Sequence, residues 1–187
     1  PSGEACRTRL VFATTDLRLI AIDARSGHRC VGFGQDGQVT LQPDRPLAFK
    51  GELSRFSVPA IVNGTIVLGS HIVDDYRSAT PRGDVQAFDV RTGSHLWTFD
   101  PIPRDGRDPA YSSWLRNSAV HAGSANVWGH MAVDEQRDLV FLPTSTPAPD
   151  SWGGQRPGDN RYANSIVALR GATGEVVWHF QIVHHAI

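Results

Sequence analysis

Three turns in this chain share one spelling, and their recurrence limits the fold more than any other feature. Leu19-Ile-Ala-Ile-Asp23-x-x-Ser26-Gly27, Val85-Gln-Ala-Phe-Asp89-x-x-Thr92-Gly93 and Ile166-Val-Ala-Leu169-x-x-x-Thr173-Gly174 align without a gap. Six residues after each glycine stands a phenylalanine, Phe33, Phe99 and Phe180, and four residues after it stand Val31, Trp97 and Trp178. Side chains alternate faces along a strand, so offsets of four and six put both positions on one face in every copy. Short antiparallel strands repeated with one large apolar residue per unit are the signature of a β-propeller. The expected architecture is therefore all-β, with four-stranded antiparallel blades.

The glycines stand 66 and 81 residues apart, more than the roughly 40–50 residues of a compact blade. The blades must then carry long loops, at residues 74–83, 100–126 and 143–164, and those loops are where chemistry is expected. Between them the strand signals are plain. Residues 9–16 and 19–22 are rich in β-branched and aromatic side chains. Residues 60–62 and 65–68 flank Asn63-Gly64, the pair that supplies the two positive φ values of a two-residue hairpin. Residues 127–133 and 139–142 flank a polar turn as a further hairpin, and residues 28–33 are read as the strand that closes the first copy.

Composition excludes several classes. A net charge of −1, with arginines scattered among acidic residues, offers no basic face for nucleic acid. No run of 18 apolar residues could span a membrane, and the first residues lack the pattern of a signal peptide, so any export signal or anchor is expected outside this chain. Cys6 and Cys30 are too few for a disulfide scaffold and lack zinc-site spacing. They flank two expected neighbouring strands, which leaves a single bridge and two separate buried thiols both open.

At this point the residues resemble a known family. The three turns look like the tryptophan-docking motifs of quinoprotein dehydrogenases. End to end, the chain resembles an internal slice of the membrane-type glucose dehydrogenase branch. The motifs that carry this are Thr15-Asp-x-Arg-Leu-Ile-Ala-Ile-Asp23, Arg82-Gly-x-Val-x-Ala-Phe-Asp89, Asn126-Val-Trp128, Leu142-Pro-Thr144, Pro149-Asp150, Gly158-Asp-Asn-Arg-Tyr-Ala-Asn164 and Trp178-His-Phe-Gln-x-Val-His-His185. The resemblance implies three to four blades of an eight-bladed ring, with residues 1–187 forming one partial propeller domain whose repeats end near 33, 99 and 180. It implies pyrroloquinoline quinone (PQQ) with calcium or magnesium as cofactors, and oxidation of a sugar, polyol or alcohol. Electrons would pass to a membrane quinone on the periplasmic side, and the remaining blades of a full-length chain would be the obligatory partner.

Trp128 matches the family tryptophan that floors the quinone ring. It stands outside the docking pattern that accounts for Trp97 and Trp178, although a core or blade-docking role is the commoner fate of a tryptophan. Asp74 matches the carboxylate that holds the cation, with Asp75 one residue away, and Thr146 matches a polar cation and cofactor contact where related alcohol dehydrogenases carry Asn. Hard cations take such oxygen ligands. Ala148 stands where Ser or Thr is expected, which removes one possible hydrogen bond to the cofactor.

His184 and His185 resemble the start of the family's His-His-Asp-Leu-Trp-Asp loop, with Ala186 in place of the first Asp. The family's catalytic Asp, used as base, is expected just beyond Ile187, and a lysine beside the quinone and a histidine-bearing segment are also expected outside this chain. The isolated polypeptide is accordingly expected to be inactive. A soluble alcohol dehydrogenase would carry an adjacent cysteine pair, which is absent here. The alternative reading is a non-catalytic propeller scaffold that uses the same docking repeats without quinone. Such a scaffold has no use for Trp128 outside the docking pattern or for the 158–164 motif.

Overall fold

The computed structural model describes residues 5–55 and 57–186. Residues 1–4 and Ile187, on which the reading of the chain's two ends drew, lie outside the described residues, as does Phe56. The first sheet holds β1 (Arg9–Ala13), β2 (Arg18–Asp23) and β3 (Gln38–Thr40), in that order. Then come β4 (Leu53–Ser54), β5 (Ala60–Val62), β6 (Thr65–Leu68), β7 (His71–Ile72), β8 (Val85–Asp89) and β9 (His95–Phe99). Of these, β5, β6, β8 and β9 form a four-stranded antiparallel sheet, and β4 pairs with β7. The last sheet is β10 (Ala132–Asp134), β11 (Leu139–Pro143), β12 (Ser165–Arg170) and β13 (Val176–Gln181), again antiparallel and in sequence order. These are the blades of a partial propeller, two of them with all four strands.

Alternation along β6 and β8 explains why the middle sheet is buried on both faces. Ile66, Leu68 and Phe88 point into a core shared with Leu19, Ala21, Phe33 and Leu41 of the first blade. Val67, Val85 and Ala87 point the other way, into a core shared with Val140, Leu142, Val167 and Leu169 of the third. A strand with both faces covered reads as an unbroken apolar run, as residues 66–68 do. The hairpin at its start uses Asn63 at φ 45° and Gly64 at φ 84°, as the Asn-Gly pair requires.

The repeated turn has a local cause. Asp89 accepts hydrogen bonds from the Arg91 and Thr92 amides and from the Thr92 hydroxyl, at 2.7 to 2.9 Å. Asp23 does the same with Arg25 and Ser26 and adds the Cys6 amide. Those donors, the Ser26 amide foremost, hold the Asp23 carboxyl down at about 2. Its contribution to stability is therefore present above the ordinary value of 3.8 and is lost as pH falls through about 2. In the third copy Arg170 replaces the aspartate, and Asp138 of the preceding hairpin takes over: its carbonyl accepts from Gly171 N and its carboxylate from Ala172 N.

Docking between blades runs in one direction. Trp97 of the second blade donates from Nε1 to the Gly171 carbonyl of the third at 2.9 Å. Its indole lies so close to Gly174 that an added Cβ would come within 2.6 Å of the ring. The first blade docks on the second in the same sense, with Phe33 and Val39 against Gly93. Trp178, the next residue in this series, is 44% exposed.

The first copy departs from the expected strand at residues 28–33. That segment makes one isolated bridge, Ile22 to Arg29, then turns through Gly34 and Gly37, and β3 pairs with β2 in its place. Val31, at the tryptophan position, is exposed, while Phe33 is fully buried. The diversion is pinned by a disulfide between Cys6 and Cys30, with Cα atoms 5.6 Å apart, which settles the open reading of the cysteines. Closing 24 residues of chain contributes about 3 kcal/mol by loop entropy. Reduction should therefore lower the melting temperature by roughly 6–12 °C, as read by calorimetry with and without a thiol reductant.

The long loop at 100–126 folds on itself. Ile102, Trp114, Ala119, Ala122 and Ala125 pack with Ala163 in a small core of their own around a single helical turn, α1 (Ser118–His121). Trp114 Nε1 donates to the Arg161 carbonyl at 3.0 Å, which ties this cover to the third blade. No helix among the described residues is long and apolar enough to cross a membrane.

Candidate functional site

Three loops are laced together by backbone hydrogen bonds on one side of the second and third blades. Ser70 N donates to Val127 O, Ala125 N to Thr146 O, Ser145 N to Asn126 O, Ala148 N to Gly123 O, and Asp150 N to Asp74 O, at 2.9 to 3.2 Å. The chain approaches so closely at Gly69 and Gly83 that an added Cβ would sit 2.1 Å from a carbonyl oxygen of the facing loop. Loops this tightly paired hold their side chains in fixed places, as a preorganised site needs.

Between them opens a cavity of about 620 Å³ lined by His71, Asp74, Asn126, Trp128, Thr146, Asp150 and Asn164, among others. That lies within the roughly 300–1,000 Å³ of small-molecule clefts. Trp128 is 61% exposed, so its indole face is available to a ligand instead of being spent in a core. Thr146 Oγ1 donates to Asn164 Oδ1 at 2.8 Å. Asn126, 1% exposed, donates to Ser70 O at 2.7 Å and accepts from the Ser145 hydroxyl, with Ser124 Oγ 2.7 Å from its Oδ1.

Asp74 lines this cavity, whereas Asp75 is exposed and is not among its lining residues. Ser124 Oγ donates to Asp74 Oδ2 at 2.7 Å. Burial pushes the Asp74 carboxyl above its ordinary value of 3.8, and the neighbouring Asp150 charge adds to the rise, against the Ser124 hydrogen bond. The folded state thus favours the protonated form, so what this group contributes is fully present below pH 3.8 and is lost as pH rises through the raised folded value. Asp74→Asn should raise the melting temperature of metal-free protein at pH 7, and the gain should close by pH 3. A variant less stable than the parent at both pH values would contradict this account of the site.

The donor set suits a hard cation. Asp74, Asp150, Thr146 and the two asparagine side chains offer oxygen, the ligand type that calcium and magnesium take, with the His71 imidazole on the same wall. Among the described residues no group of three or more His, Cys, Asp or Glu side chains is gathered into a ready-made cage. A cation here would draw on neutral oxygens and on a shared ligand. The broad indole beside these donors fits a flat partner.

The remaining candidates fall outside the cavity. His185 Nδ1 lies 2.8 Å from Gly158 O and its backbone amide donates to Asp159 O, a structural tie between loops. Arg82 faces Asp44 and Asp100, and Arg161 donates to His179 Nε2, so neither lines the cavity. In the sequence Asp150, Asn126 and Asn164 stand only as letters of longer motifs, and nothing there marks Ser124. Their signal is a cluster of buried or half-buried polar groups that only the folded loops bring together.

The comparisons bear on what such a cavity is for. The family described as "PQQ: Glucose/ethanol/alcohol dehydrogenase, beta-propeller domain" matches residues 1–187. Quinoprotein glucose dehydrogenase A of Acinetobacter calcoaceticus is 37% identical over 185 residues, which cover 98% of this chain and 23% of that protein. The quinate/shikimate dehydrogenase (quinone) of Acinetobacter baylyi is 37% identical, over 96% of this chain and 22% of its own length. Among solved structures, the quinohemoprotein alcohol dehydrogenase ADHIIG from Pseudomonas putida HK5 superposes with a TM-score of 0.76 at 28% identity, covering 95% of this chain and 26% of its own. The chain thus spans about a quarter of the length of the relatives it matches. With the docking repeats, the blades and the match across its whole length, the chain belongs to the PQQ-dependent glucose/ethanol/alcohol dehydrogenase family, as part of its β-propeller domain.

Proposed function

We propose that residues 1–187 form one partial propeller domain that supplies the floor and the cation side of a quinone site, in a dehydrogenase acting on a sugar, polyol or alcohol. The observation that carries this is the cavity itself, where an exposed indole, Trp128, stands beside a mainly oxygen donor set that includes Asp74 and Thr146. When bound, PQQ would supply the electron-accepting carbonyl that a protein side chain cannot offer. Trp128 would support the ring by its face. Asp74 and Thr146 would hold the cation, calcium or magnesium, with Asp150 and Asn164 within the same cavity. Asn126 and Ser124 fix the orientation of this wall through their hydrogen bonds.

The base that takes the substrate hydroxyl proton is not assigned to any described residue, and in this reading it comes from outside them. Electron transfer to a membrane quinone and a periplasmic site complete the proposal, and of these the quinone acceptor is supported by the relative named as a quinone-linked dehydrogenase. A scaffold without chemistry would leave the exposed Trp128 and the acidic cavity wall unexplained. The test is reconstitution of the full-length gene product with PQQ and calcium. Dye reduction that depends on an added sugar, polyol or alcohol is the expected result, and its absence across those classes overturns the enzyme reading.

A further inference from the structure

The loop that carries Asp74 is gripped at both ends by one short segment, residues 52–55, that lies outside the cavity lining. Both charged side chains of that segment are buried, Glu52 at 0% and Arg55 at 1% exposure. Arg55 holds the stem: Nη1 donates to the Gly69 and Asp84 carbonyls at 3.4 and 3.1 Å, and Nη2 to Asp84 Oδ1 at 2.9 Å. Glu52 holds the tip. Its carboxylate accepts from the Tyr76 hydroxyl, from Arg77 Nη2 and from the Ala48 amide. Its backbone carbonyl accepts from Val73 N at 2.9 Å, and β4 pairs with β7 through Leu53 with Ile72 and Ser54 with His71. Asp74 therefore sits between Val73 on one side and Tyr76 and Arg77 on the other, and Glu52 binds all three.

Burying two charges is costly before they pair, and apolar residues of similar volume often stabilise a fold as well. A charge pinned to each end of one loop acts instead on geometry. We propose that Glu52 and Arg55 are positioning residues that set where the Asp74 carboxylate stands in the cavity, and so tune the affinity of the site for its divalent cation. This rests on the cofactor reading above. Groups that orient a metal ligand from behind change metal affinity by about 10–100-fold when removed.

The test uses Glu52→Gln and the milder Tyr76→Phe in the full-length gene product, so that a misfolded first variant still leaves the second to decide. Two quantities are read: amide hydrogen exchange of residues 73–77 without metal, and the calcium concentration for half-maximal reconstitution with PQQ. The expected result is faster exchange confined to that loop and a half-maximal calcium concentration raised by about tenfold or more, with kcat at saturating calcium within about twofold of the parent. Faster exchange with an unchanged calcium requirement shows a structural strut only and overturns the proposal. Unchanged exchange and calcium requirement overturn it as well. If the unsubstituted protein shows no calcium dependence at all, the cofactor reading fails first and the positioning role falls with it.

Discussion

Trp97→Ala is expected to destabilise this chain by about 3–5 kcal/mol, the range for removing a large aromatic from a packed core. Trp97 is 7% exposed, packs against Gly174, and spends its indole N–H on the Gly171 carbonyl. The substitution would open a cavity between two blades and leave that carbonyl without its donor. Trp97→Phe keeps most of the packing, and the lost hydrogen bond should account for about 1 kcal/mol of its cost. Trp178→Ala, at the matching position of the next repeat, should cost less than about 1 kcal/mol in this chain, because its ring is 44% exposed. Equilibrium unfolding in urea checks all three. Equal losses for Trp97 and Trp178 would mean that the one-way docking between blades is not what holds them.

Trp128→Ala is expected to separate binding from stability. Its side chain is 61% exposed, so removal should change the unfolding free energy by no more than about 0.5 kcal/mol. Loss of a stacking surface under a planar ligand costs about 1–3 kcal/mol of binding, equivalent to a rise in the PQQ dissociation constant of roughly 5- to 150-fold. Isothermal titration of the full-length protein in calcium gives that constant. An unchanged constant would remove Trp128 from the floor of the site.

What the residues disclosed in advance follows from how local each cause is. Asp89, Thr92 and Gly93 build their turn within five residues, and the Asn63-Gly64 hairpin needs only its own two φ values, so both were legible as written. Residues 28–33 had the composition of a strand, but a disulfide to Cys6 and the turns at Gly34 and Gly37 divert them, and β3 takes the pairing. No periodicity announces such a competition. The helical turn α1 of the 100–126 loop escapes for a related reason, since Ala119 and Ala122 pack in a core with Ala163 that only the folded chain assembles.

The candidate site divides the same way. Asp74, Trp128 and Thr146 came from motif positions, and the fold places all three on one cavity. The supporting set could not be read, because Ser124 meets Asp74 across 50 residues and Thr146 meets Asn164 across 18. The clamp from Glu52 to Tyr76 and Arg77 is equally non-local. In the sequence it is one carboxylate in a proline-flanked stretch with nothing to mark its partners.

The most direct test of the central claim is a crystal structure of the full-length protein with PQQ and calcium. The account predicts planar density stacked on the Trp128 indole. It also predicts a cation about 2.3–2.6 Å from an Asp74 carboxylate oxygen, with Thr146 on the same side. Cofactor bound on another face of the protein, or a cation held without Asp74, would contradict it.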